Sequence, residues 1–158
     1  MIKLLDTKVT GVNIYQYGIF KGDIDDDFDT PTSERGTEHK VAITSFVEKT
    51  LQIPAILGKH FGIIYVVKGD PPGGVINIKM RILHPPIKNP QTNELFSFAE
   101  SVYPINIGAH EFYGWIFEHE WELASGQYTF QILYNDKKLG EKTFTVYKPQ
   151  LGRGLDLQ

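Results

Sequence analysis

A chain of 158 residues with a net charge of −3 is the size of one domain and has no electrostatic case for binding nucleic acid. It contains no cysteine, which excludes disulfides, thiolate zinc sites and cysteine nucleophiles together. Hydrophobic residues make up 41% of the chain and aromatic residues 13%, a composition that suits pleated, half-buried strands.

The first residues, Met1-Ile2-Lys3-Leu4-Leu5-Asp6, lack the apolar run of a signal peptide, and the longest wholly apolar run, Ile63-Ile64-Tyr65-Val66-Val67, is too short to span a bilayer. The expectation is a cytoplasmic protein without a transmembrane segment; an exported one with its leader removed would read the same way. Residues 8–20 carry Val9, Val12, Ile14, Tyr15 and Tyr17 and predict a first strand, with Gly11 as a bulge. Residues 21–38 are polar and acidic without a period and read as a long loop. Residues 39–50 alternate Val41 and Ile43 with Ala42 and Thr44, and predict a strand. Residues 52–60 contain Pro54 and Gly58 and must turn, with room for a single helical turn.

Residues 61–68 form a nearly continuous apolar strand, buried on both faces. Asp70-Pro71-Pro72-Gly73-Gly74 forces a turn. Ile76, Ile78, Met80 and Ile82 then alternate with Asn77, Lys79 and Arg81, so one face is core and the other is wet. His84-Pro85-Pro86 is expected to end this strand, because proline cannot continue a central ladder. Residues 87–94 read as loop, 95–103 as a strand, and the aromatic-rich stretch 112–123 as another. After a turn at Ala124-Ser125-Gly126, Tyr128, Phe130, Ile132 and Tyr134 alternate with polar residues. A loop over 135–140 leads to a returning strand at 141–147 with Phe144 and Val146. The chain thus predicts one all-β domain over residues 1–148 and a tail over 149–158. With about eight strands separated by Gly/Pro turns, the fold class is a two-sheet antiparallel β-sandwich, immunoglobulin-like or fibronectin-like.

Certain residues stand in a familiar order. Tyr17-Gly18-Ile19-Phe20 precedes Ile53-Pro54-Ala55-Ile56-Leu57-Gly58-Lys59-His60-Phe61-Gly62-Ile63. His84-Pro85-Pro86 follows, then Trp121-Glu122-Leu123 and Gly126-Gln127-Tyr128-Thr129-Phe130-Gln131. This order resembles the bacterial domain-of-unknown-function family numbered 3859, over about residues 9–147. The resemblance implies a sandwich fold and carries no catalytic residues.

Chemistry-bearing residues gather in three places. The loop Asp23-Ile24-Asp25-Asp26-Asp27-Phe28-Asp29, with Glu34 beyond it, sets Asp23, Asp25, Asp27, Asp29 and Glu34 at the ligand spacing of an EF-hand. Phe28 stands where the sharp turn wants glycine, Pro31 interrupts the loop and neither flank is helical. A looser Ca²⁺ cage of the same carboxylates is therefore set beside the leading reading, a solvated acidic loop without a cofactor. His110, Glu111, Glu118, His119, Glu120 and Glu122 are zinc-ligand types within a short stretch. On a strand, Glu118, Glu120 and Glu122 would form one exposed, like-charged row instead. His84 falls at a strand end and His39 and His60 at loop–strand junctions, and each reads as structural or exposed. Tyr113, Trp115, Phe117 and Trp121 are candidate binding aromatics, able to stack on a sugar or receive a peptide if exposed, and core residues if not.

No Gly-x-Ser-x-Gly elbow and no phosphate loop is present. The sequence therefore favours a non-catalytic binding or protein-interaction module over two rivals. One is a structural subunit forming a homodimer through a sheet edge; the other is an enzyme with a metal-assisted His/Glu site. The partner is expected to be a protein or a small-molecule ligand.

Overall fold

The computed structural model describes residues 7–21 and 46–150. They form nine strands: β1 (Lys8–Phe20), β2 (Phe46–Glu48), β3 (Gln52–Pro54), β4 (His60–Asp70), β5 (Val75–Lys88), β6 (Leu95–Asn106), β7 (His110–Ile116), β8 (Gly126–Tyr134) and β9 (Lys137–Tyr147). A single 3-10 turn, Glu120–Glu122, separates β7 from β8. One sheet runs β2-β1-β4-β7 and the other β3-β9-β8-β5-β6. The core lies between them.

Period-2 patterning positions the core. Ile76, Ile78, Met80 and Ile82 of β5 are buried, as are Tyr128, Phe130 and Ile132 of β8 and Phe144 and Val146 of β9. Opposite them β4 sends Phe61, Ile63, Tyr65 and Val67 into the same cluster. Phe61 is the hub: its ring lies 5.2 Å from Phe144, 5.7 Å from both Tyr128 and Phe130, and 5.8 Å from Phe117. The other face of β4 is closed as well, with His60, Ile64 and Val66 buried. Gly62 pairs with Gly114 of β7, and a side chain on Gly62 would run into the Tyr113 carbonyl, so the two strands meet here without side chains between them.

Several expectations are corrected. β5 does not end at His84 but continues through Pro85 and Pro86 to Lys88. The β5–β6 register shifts between Leu83 and Ile87, and such a bulge tolerates residues without an N–H. Residues 52–60 do more than turn: Gln52–Pro54 lies parallel to β9, with Ile53 opposite Val146. The predicted loop over 135–140 shrinks to Asn135-Asp136, whose φ values of 51° and 63° make the tight turn that suits the strand twist. The strand expected over 112–123 is β7 alone, from His110 to Ile116. Of the strand expected over 39–50, Phe46–Glu48 is observed, while 39–45 lie outside the described residues. Gly11 sits at a register shift of β1, as its expected bulge requires.

Candidate interaction surface

The aromatic candidates serve the interior. Tyr113, Trp115 and Phe117 point between the sheets and are buried. Tyr113 packs edge-on against Tyr103 at 5.7 Å and Phe130 at 6.1 Å. Trp115 meets Tyr128 at 6.0 Å, as does Phe117 at 6.1 Å. Trp121 is half-buried against the core and carries the His119 ring stacked at 5.3 Å. The strand parity that makes these residues look like a stripe turns that stripe inward, so they form no external platform.

The His/Glu stretch is also redistributed. β7 separates His110, edge-on to Tyr15 at 4.9 Å, from His119 beyond its other end. A seven-residue strand is roughly 20 Å long, too far for one metal ion. Among the described residues, no three His, Asp or Glu side chains gather as a metal site. Glu122 is not on an exposed row with Glu118 and Glu120. It is buried, and its Oε1 accepts the backbone N–H groups of Glu118 at 2.8 Å and His119 at 3.0 Å. The carboxylate thereby caps the 3-10 turn and stops β7 from continuing. Nearby, the Tyr128 hydroxyl donates to the Ala124 carbonyl at 2.8 Å, and burial, then the Glu122 charge, raises its pKa.

His84 is buried, with Nδ1 2.7 Å from the Pro85 carbonyl and its ring within 5.2–5.8 Å of Trp115, Phe96 and Tyr128. His60 is buried edge-on to Phe112. Asp23, Asp25, Asp27, Asp29, Glu34 and His39 lie outside the described residues.

The surface feature that the sequence reading missed is the outer side of β5 and β6. A polar row crosses four strands of the five-stranded sheet. Glu100 of β6 accepts from Arg81 Nε of β5 at 2.6 Å, Arg81 reaches Gln131 of β8, and Gln131 donates to Glu141 of β9 at 3.1 Å. Lys138 joins at 3.0 Å, and the Gln131 and Lys138 hydrogen bonds hold the Glu141 carboxyl below its ordinary pKa. Apolar side chains flank the row. Phe98 is 52% exposed and Val102 60%, with Leu83 exposed beside Phe98. β6 is the last strand of its sheet, so its outer backbone edge has no neighbouring strand among the described residues. A signal was present in the sequence: Phe98-x-Glu100-x-Val102 alternates, and residues 95–106 hold a single charge.

Comparison with known proteins bears on the fold. A family model described as a domain of unknown function, DUF3859, matches residues 8–146. Among solved structures, an immunoglobulin-like protein from Pseudomonas aeruginosa superposes with a TM-score of 0.63 at 19% identity, over 90% of this chain and 98% of that one. No curated protein matches the sequence.

Proposed function

This chain belongs to the DUF3859 family and has an immunoglobulin-like sandwich fold, and on that premise we propose that it is a non-catalytic protein-interaction module working through the outer face of β6. Fold alone names no ligand, so the reading rests on the surface. The observation that carries it is the exposed pair Phe98 and Val102 on the outer face of β6, with exposed Leu83 of β5 beside Phe98. Apolar side chains grouped on one exposed face mark an interaction site. The one charge between Phe98 and Val102, Glu100, is already bound by Arg81. A partner protein would cover Phe98 and Val102 with apolar side chains of its own. The candidate aromatics favour the same surface by elimination, since Tyr113, Trp115 and Phe117 are occupied in the core.

Photo-crosslinking in the native cell tests this. A photoreactive residue at Phe98 or Val102 should give protein adducts, whereas the same residue at Tyr15 or Val47 on the four-stranded sheet should not. Adducts confined to Tyr15 or Val47, or none at any position, would refute the reading.

A further inference from the structure

Independently of the β6 face, we infer that Tyr17, Lys49 and Lys142 form a site for a phosphate dianion where β1 meets β9, toward the other side of the five-stranded sheet from β6. Both lysines converge on one ring. The Lys142 ammonium lies 4.3 Å from the Tyr17 ring centroid and that of Lys49 5.3 Å. The ring is held in place edge-on to buried Phe144 at 6.5 Å. Gly140 of β9 lets Val12 of β1 close the same seam, since a Cβ on Gly140 would stand 2.8 Å from Val12 Cγ1. Gly18 brings Lys49 in. Its φ is 141°, and a Cβ there would run into the Glu48 carbonyl and stand 3.0 Å from the Lys49 Cα, so glycine is what lets the chain after β2 approach β1 beside Tyr17.

The two ammonium groups gather there without a protein counter-ion. Among the described residues, Lys79 pairs with Asp136, Arg81 with Glu100 and Lys138 with Glu141, and neither Lys49 nor Lys142 takes part in an ion pair. Glu141, next to Lys142 in the chain, points to the other face of β9, where Gln131 and Lys138 hold it. The Tyr17 hydroxyl likewise has no hydrogen-bond partner among the described residues. The seam is therefore locally positive in a chain whose net charge is −3. Each ammonium carries several donors on a rotatable stem, so both lysines can close on one oxyanion at the ring's edge, with the hydroxyl as a further donor. Two positive charges match a phosphate dianion better than a monoanion such as acetate.

Amide NMR titration of the full chain with inorganic phosphate tests this, at fixed ionic strength and about pH 8, where phosphate is a dianion. Signals of Gly18, Lys49 and Lys142 should shift and saturate with a Kd on the order of 1 mM, and acetate should bind roughly tenfold more weakly. Lys49→Gln and Lys142→Gln should each weaken phosphate binding roughly tenfold, whereas Lys142→Arg, which keeps the cation, should stay within about threefold of wild type. Lys137→Gln, at the β8–β9 turn, should change nothing. Glycerol 3-phosphate in the same titration identifies the source: tighter binding than inorganic phosphate assigns the site to a phosphorylated small molecule, and equal or weaker binding to the free ion. Neither lysine is buried, and circular dichroism melts should show all variants folded. No saturation by about 20 mM phosphate, or saturation unchanged in both glutamine variants, would overturn the inference.

Discussion

Replacing Glu122 probes the point where β7 stops and the chain turns toward β8. The side chain is only 4% exposed, and one oxygen accepts two backbone N–H groups at 2.8 and 3.0 Å. Hydrogen bonds to a charged acceptor contribute about 1.5–3 kcal/mol each. Glu118 is partly and His119 largely exposed, so water can replace part of this, and about 1 kcal/mol per bond is the fair figure. Glu122→Ala loses both bonds and leaves a space beside Tyr128, for a total cost of about 2–4 kcal/mol. Glu122→Gln keeps an acceptor oxygen in place and should cost about 1 kcal/mol. At about 2–4 °C per kcal/mol for a domain of this size, the alanine variant should melt well below the glutamine variant. Urea unfolding followed by circular dichroism gives both values. A third variant, Glu122→Leu, separates capping from the burden of a buried charge. If leucine were as stable as wild type, the carboxylate would be a tolerated cost and the capping argument would fail. A loss below about 0.5 kcal/mol in Glu122→Ala would refute it directly.

Two further outcomes are expected. Ile78→Ala, at a fully buried position between sheets, should lose about 2–5 kcal/mol in urea unfolding, and a loss under about 0.5 kcal/mol would mean that β5 does not face the core as described. Tyr65 and Tyr128 both have hydroxyl pKa values raised above the ordinary 10.0, chiefly by burial. The folded chain therefore holds protons that the unfolded chain releases, so stability is unaffected below pH 10 and falls as pH rises beyond it, by up to about 1.4 kcal/mol per pH unit for each tyrosine. Tyr128→Phe should shallow that alkaline slope, while lowering stability at neutral pH through loss of the bond to Ala124; an unchanged slope would remove Tyr128 from the account.

Much of the fold was legible because strand patterning is local. The alternation from Ile76 to Ile82 identified the buried face of β5, and the two alternating runs around Asn135-Asp136 identified the β8–β9 hairpin. A period of two needs only a few residues of one strand to declare itself. Three features were not written in any short stretch. Gln52–Pro54 is too short to show a period, and it becomes a strand because Ile53 finds Val146 almost a hundred residues away. Glu118, Glu120 and Glu122 are chemically alike in the sequence, and only the docking of the Glu122 carboxylate on two N–H groups makes one of them buried and ends β7. Parity groups Tyr113, Trp115 and Phe117 on one side but does not say which side meets the second sheet. The packing of β8 against β7 across the core settled that, turning them inward and leaving Phe98 and Val102 outside. Composition and periodicity thus determined which faces were apolar. Which apolar face was covered depended on contacts between residues far apart in the chain, which exist only once the sheets have closed on each other.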